Sequence, residues 1–299
     1  MHSEKRIEIS VIMGVYNQWD REALLQSVKS ILNQTFSRFE FIIYDDGSDS
    51  KVAEHIKEVA KLDERIILIG KEENHGLAFS LNACIAKARG KYIARMDADD
   101  IALPERLAVQ YEFMETHPEY AWCGCNTELF DGDGVWGTRS MPEIPDDKDY
   151  LPFSPFVHPT VMYRSELFAQ SGGYHVSQET LRCEDYEIFM RLHQLGYQGY
   201  NIQKVLFRYR EDKTSFQKRR FEFRVNEAKL RYRNFKSMHM LFPLGWIYVI
   251  RPILGGVMPP AVVAWMKRKQ SEYKHERKGR TESEITVLQP DFIKKSSIL

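Results

Sequence analysis

IEISVIMGVYNQWDREALLQSVKSILNQTFSRFEFIIYDDGS, residues 7–48, is the stretch on which the fold turns. Its first seven residues, Ile7 to Met13, are rich in β-branched side chains and stop at Gly14, which predicts a strand running into a loop. Asn17 to Asp20 then offer capping side chains. From Glu22 to Leu32 the apolar residues fall at 24, 25, 28, 31 and 32, the spacing of one helical face. A second strand, Phe39 to Tyr44, is cut off by Asp45-Asp46-Gly47-Ser48.

The unit repeats outward from there. A helix is expected from Val52 to Leu62, a strand from Arg65 to Ile69, a polar loop over 70–76, a helix from Ala78 to Ala88, and a strand from Lys91 to Met96 that ends at Asp97. This alternation predicts an α/β fold, a Rossmann-like, mostly parallel sheet with helices on both faces. In such sheets ligands bind beyond the carboxyl ends of the strands. Tyr16, Asn17, Asp45, Asp46, Asn74, Gly76, Asp97, Asp99 and Asp100 are the residues placed there. Farther on, Tyr120 to Trp136 reads as a hairpin turning at Asp131-Gly132-Asp133-Gly134, whose Asp-Gly pairs suit positive φ. An irregular connection over 142–159, a helix from Glu184 to Leu195 and a basic helix over 218–236 complete the reading.

The chain has 299 residues, 43% of them hydrophobic, which leaves ample material for a core and excludes a disordered or low-complexity protein. Its net charge is zero, but the distribution is lopsided: −13 over residues 1–203, +8 over 204–236 and +5 over 237–299. Neither the total nor the acidic body suggests a nucleic-acid partner. Cys84, Cys123, Cys125 and Cys183 form no CxxC pair, so buried reduced thiols are expected rather than a zinc site. The opening MHSEKRIEISVIMGVYN has only a short apolar run, and a cytoplasmic location is expected from it.

Arg95-Met96-Asp97-Ala98-Asp99-Asp100 crowds three carboxylates at a strand end, an arrangement that is unfavourable unless positive charge sits among them. A hard divalent cation bridging to phosphate oxygens would supply it; an acidic cap before Leu103-Pro104-Glu105 would also account for the residues. Asp46 is placed to accept hydrogen bonds from a ribose or base, or to make a turn and helix cap. Glu184-Asp185-Tyr186 opens a helix, where a carboxylate either complements the dipole or serves as a general base. His158, Trp122, Trp136 and Tyr174 read either as acceptor-site groups or as structure, and His193 as a surface residue.

In order along the chain, Val11 to Asn17, Ser30 to Thr35, Asp45-Asp46-Gly47-Ser48, Asn74-His75-Gly76-Leu77, Asp97-Ala98-Asp99, His158-Pro159-Thr160 and Glu184-Asp185-Tyr186 resemble the family 2 glycosyltransferases of GT-A fold over about residues 7–215. The resemblance implies inverting transfer of one sugar from a nucleotide sugar, usually a UDP-sugar, to a hydroxyl of a saccharide acceptor, with Mg²⁺ or Mn²⁺, in cell-surface polysaccharide synthesis. It implies that Val15, Tyr16 and Asp46 hold the nucleoside and that Asn74 and Gly76 shape its pocket. Asp97 faces ribose and metal, Asp99 ligates the metal, and Asp185 is the base. It divides the chain into a nucleotide-binding half (about 1–100), an acceptor half (about 101–215) and a C-terminal extension (216–299). One departure stands out: members commonly continue Tyr-Arg-x-His, whereas this chain reads Tyr209-Arg210-Glu211-Asp212-Lys213, so that either Arg210 or Lys213 replaces the histidine or the lid closes differently. A noncatalytic nucleotide-sugar sensor and a sugar nucleotidyltransferase are the alternatives.

The extension contains MHMLFPLGWIYVIRPILGGVMPPAVVAWM at 238–266, cut by prolines at 243, 252, 259 and 260. Its pieces are shorter than the ~20 apolar residues of a spanning helix. With basic flanks they are expected to lie in a membrane interface at the inner face of the plasma membrane, next to a lipid-linked acceptor. A helical hairpin packed on the body or on a second subunit of a homo-oligomer is the competing expectation. Residues 270–299 read as polar and poorly ordered.

Overall fold

In the computed structural model, which describes residues 6–211 and 220–257, the opening stretch forms β1 (Ile9–Val15), α1 (Arg21–Leu32) and β2 (Phe39–Asp46). The repeat continues with α2 (Ser50–Ala60), β3 (Ile66–Lys71), α3 (Leu77–Lys87) and β4 (Tyr92–Arg95). Asp20 caps α1, its carboxylate accepting from the Ala23 amide. β1 lies between β2 and β4, and β2 pairs with β3, all in parallel register, so these four strands end on one rim.

Beyond β4 the sheet is no longer parallel. After the two-residue β5 (Ile101–Ala102) and α4 (Arg106–Thr116), the chain adds β6 (Trp122–Asp131), β7 (Gly134–Arg139), β8 (Met162–Arg164), α5 (Glu166–Ser171), α6 (Glu184–Gln194) and β9 (Gly199–Arg210). β8 pairs antiparallel with both β4 and β6, while β9 runs parallel to β6 and antiparallel to β5. The strand order is β3-β2-β1-β4-β8-β6-β9-β5, with β7 on β6. The expected hairpin is present, but only Gly134, at the start of β7, has positive φ (116°); Gly132 does not. The chain therefore reverses without the paired positive-φ residues of a type I′ turn.

Alternation along β1 sorts the core into two. Ile9, Val11, Met13 and Val15 face Leu24, Val28 and Ile31 of α1 and Ile56 of α2, whereas Ile12 faces Leu81 of α3, Tyr163 of β8 and Phe189 of α6. Burying each such side chain contributes about 1.5–3 kcal/mol. All four cysteines are buried and unpaired, and burial pushes the Cys84 thiol up to about 12.

After the described body, α7 (Phe221–Ser237) and α8 (Trp246–Val257) form a helical pair. Leu230 and Phe235 of α7 and Val249 of α8 join the second core, and Arg231 lies over the Tyr186 ring at 4.8 Å while donating to the Leu151 carbonyl. Packing on the body is thus seen for this part of the extension. Among the described residues no helix is long and apolar enough to cross a membrane. The domain boundary at 215/216, Lys213, the rest of the apolar segment (258–266) and the polar 270–299 lie outside the described residues.

Candidate active site

The rim is built from loops that clip to one another. Asn17, held at φ 48°, follows Tyr16 after β1; its amide donates to Ser48 Oγ (3.0 Å), and the Asp49 amide donates to Asn17 Oδ1 (2.8 Å). Asparagine tolerates this left-handed backbone better than most residues. Gly47 (φ 74°) has no room for a side chain, since a Cβ there would sit 2.7 Å from the Glu72 carbonyl oxygen. The loops after β2 and β3 are therefore in contact.

Asp46 fixes that contact. Its carboxylate is buried and accepts from Asn74 Nδ2 (3.0 Å), the His75 amide (2.9 Å) and the Gly76 amide (2.8 Å). The sequence reading offered this carboxylate to a ribose or a base, but its oxygens face the protein's own 74–76 loop. Val15 is likewise buried, whereas Tyr16 is 53% exposed.

The loop after β4 is different. Carboxylate oxygens of Asp97, Asp99 and Asp100 lie within 4.8 Å of one another. Asp97 pairs with the buried guanidinium of Arg95 (2.5 Å), and Ser27 Oγ donates to the Asp97 carbonyl (2.7 Å). Asp100 accepts from the Arg210 amide (2.7 Å) through one oxygen; its other oxygen is buried and has no partner among the described residues. Burial, then Asp97, pushes the Asp99 carboxyl up to about 6, opposed by Arg210 and Arg95. The same two causes hold Asp100 well above the ordinary range. Crowded hard oxygens, one of them orphaned, fit a divalent cation such as Mg²⁺ or Mn²⁺.

Arg210 reaches this loop from the end of β9. Its Nε donates to the Asp99 carbonyl (3.0 Å), and the guanidinium lies over the Phe130 ring at 4.6 Å. Of the two basic residues considered in place of a histidine, Arg210 is the one the described residues place beside the acidic cluster.

Asp185 sits in the first turn of α6, partly exposed, just after Arg182 at φ 67°. Burial raises the carboxyl of its neighbour Glu184. A cavity of about 280 Å³ runs from Gly76 and Leu77 to Gln178, Thr180, Leu181 and Glu184. It brings the Asn74–Gly76 loop against the start of α6, although the two are a hundred residues apart in sequence. Below, the hydroxyls of the buried Tyr163 and Tyr174 meet at 3.3 Å.

His158 is buried, bonded through Nε2 to the Tyr174 hydroxyl (2.8 Å), and its pKa is lowered by burial and then by Arg95. Trp122 and Tyr174 are core residues and Trp136 is partly buried. His193 bonds Asp147 at 2.7 Å. The sequence assigns no role to Arg95; a basic residue closing the otherwise apolar β4 is the available signal.

Comparison with known proteins bears on this geometry. The Glycosyl transferase family 2 model matches residues 10–176. Putative glycosyltransferase EpsE of Bacillus subtilis is 36% identical over 277 residues, covering 90% of this chain and 98% of its own. Amylovoran biosynthesis glycosyltransferase AmsE of Erwinia amylovora is 30% identical, with 90% and 99% covered. Among solved structures, S. aureus TarS 1–349 in complex with UDP-GlcNAc superimposes with a TM-score of 0.65 at 17% identity, covering 87% of this chain and 79% of that one. Mannosyltransferase PcManGT from Pyrobaculum calidifontis, in complex with GDP-Man and Mn²⁺, gives 0.58 at 16% identity, with 92% and 84% covered. At these identities the solved structures establish the GT-A fold.

Proposed function

This chain belongs to glycosyl transferase family 2, and from that premise we propose that it moves one sugar from a nucleotide sugar, a UDP-sugar in the first instance, to a hydroxyl of a saccharide acceptor in cell-surface polysaccharide assembly. One juxtaposition carries the reading: the crowded Asp97, Asp99 and Asp100 stand at the end of β4, and the cavity at Gly76 leads to the helix that bears Asp185. The Erwinia relative is named for the synthesis of a polysaccharide, and the two structural neighbours hold nucleotide sugars.

In this proposal Tyr16 packs against the base and Val15 offers its backbone to the nucleoside. Asn74 and Gly76 wall the pocket, and Asp46 contributes by holding them in place. Asp97 faces the ribose and the metal, and Asp99 is the metal ligand. When bound, Mg²⁺ or Mn²⁺ supplies Lewis-acid stabilisation of the leaving diphosphate. Arg210 adds positive charge near the same phosphates, where it counts most as negative charge develops. Asp185 accepts the proton of the acceptor hydroxyl while that oxygen attacks the anomeric carbon opposite the diphosphate, and a single displacement inverts the centre. Residues 1–215 form the catalytic unit, and the extension holds it at the inner membrane face beside a lipid-linked acceptor.

A panel of UDP-, GDP- and dTDP-sugars with Mn²⁺ or Mg²⁺ and saccharide acceptors tests this. We expect release of nucleoside diphosphate from one donor, lowered about 100-fold or more in Asp99→Ala and in Asp185→Ala, with inverted anomeric configuration in the product. A wild-type protein that turns over none of them contradicts the proposal. Release of pyrophosphate would instead identify a nucleotidyltransferase.

A further inference from the structure

α8 is apolar on the side it turns away from the body. Val249 and Pro252 are buried, while Trp246, Ile247, Ile250 and Leu254 are exposed at positions that recur with the helical period. Ile247 and Leu254 are 62% and 61% exposed, and Phe242 and Leu244 in the preceding turn are 82% and 54% exposed. An apolar surface this continuous on one short element is unusual for a face that meets only water.

Cations flank it. On α7 the residues Lys229, Tyr232, Arg233 and Lys236 follow one another at helical spacing along a single exposed stripe. Tyr232 touches Trp246, with ring centroids 5.4 Å apart, so the basic stripe and the apolar face are continuous. Arg251 lies on the exposed face of α8 itself and donates to the Pro152 carbonyl (3.1 Å), beside the half-exposed Phe153. Acidic groups are few here: Glu179 pairs with Arg233, and Glu222 is exposed on the first turn of α7. By sequence the chain goes on from this helix with more apolar residues and then Lys267-Arg268-Lys269.

We infer that the face formed by Phe242, Leu244, Trp246, Ile247, Ile250 and Leu254 docks on an anionic lipid surface, with the Lys229–Lys236 stripe against the headgroups. The inference rests on the membrane-side location proposed above and names the surface responsible. Aliphatic side chains and a tryptophan would enter the headgroup and acyl boundary, while the lysines and arginines remain in the charged layer. A second copy of the chain would bury the apolar face but would bring two basic stripes together; anionic lipid neutralises them.

Sedimentation of the full chain with vesicles of phosphatidylcholine containing phosphatidylglycerol, against phosphatidylcholine alone, reads this out. Wild type is expected to pellet with the anionic vesicles only. Ile247→Asp with Ile250→Asp should weaken that binding about tenfold or more, and so should Lys229→Glu with Lys236→Glu, which alters only exposed side chains. Melting temperature and turnover of a soluble donor should stay at wild-type values in both. Wild type that ignores anionic vesicles, or variants that bind them like wild type, would overturn the inference. So would a wild-type dimer that the isoleucine variant converts to a monomer, which would assign the face to a second copy. Binding that persists in a protein unable to turn over any donor would leave the docking face standing and bring down the transferase proposal instead.

Discussion

Two acidic loops stand on the same rim, each at the end of a parallel strand, and the protein answers their charge in opposite ways. At the end of β2, the Asp46 carboxylate accepts three hydrogen bonds from the 74–76 loop, and Asp45 accepts from the Ser48 amide (3.1 Å). At the end of β4, Asp97, Asp99 and Asp100 face one another, two of them with raised pKa values and one with an orphaned oxygen. Residue type and position are the same, so the hydrogen-bond donors make the difference. In the proposed reading, a carboxylate satisfied internally builds the site, whereas carboxylates left crowded at a stability cost are held for a ligand.

Substitutions at the two loops should therefore diverge in sign. Asp46→Ala strands two backbone amides and the Asn74 side chain, and we expect a loss of about 3 kcal/mol in chemical denaturation, with nucleotide binding falling because the 74–76 loop is released. Asp99→Asn should do the reverse and stabilise the metal-free protein by about 1 kcal/mol at pH 7 while abolishing turnover. The sign follows from the pKa. Asp99 titrates near 6 in the folded chain and near 4 when unfolded, so its ionised form opposes folding above about pH 6. That unfavourable contribution disappears as the pH falls toward 4, and the advantage of the Asn variant should close over the same window. An Asp99→Asn protein less stable than wild type throughout, with a chelator present, would break the comparison.

The first half of the fold was legible in sequence because each element there is long enough to show its period and is bounded by Gly, Asp or Asn. β5 and β8, with two and three residues, carry no period, and their antiparallel pairing with β9, β4 and β6 comes from tertiary context. The site was legible as a set of positions but not as a set of roles. Nothing in Asp45-Asp46 against Asp97-Ala98-Asp99-Asp100 says which carboxylates meet amides, because the donors on the 74–76 loop arrive through the β2–β3 pairing. Arg95 was silent for a related reason: its partner, Asp97, lies two residues away, but the groups that fix its backbone in the interior, the Val161 carbonyl and the buried Arg106 guanidinium, come from other elements. The docked α7 was likewise unreadable, since Arg231 and Phe235 look like members of a basic solvent-facing run until Tyr186 and the second core are placed against them.

The most direct test of the contrast between the loops is calorimetric titration of UDP into wild type, Asp99→Ala and Asp46→Asn, each with Mn²⁺ and with a chelator. We predict that wild type binds more tightly with Mn²⁺, that Asp99→Ala loses that metal-dependent gain, and that Asp46→Asn binds weakly under both conditions but keeps the same ratio between them. Equal metal dependence in wild type and Asp99→Ala, or loss of it in Asp46→Asn alone, would contradict the assignment of the β4 loop to the ligand and the β2 loop to the frame.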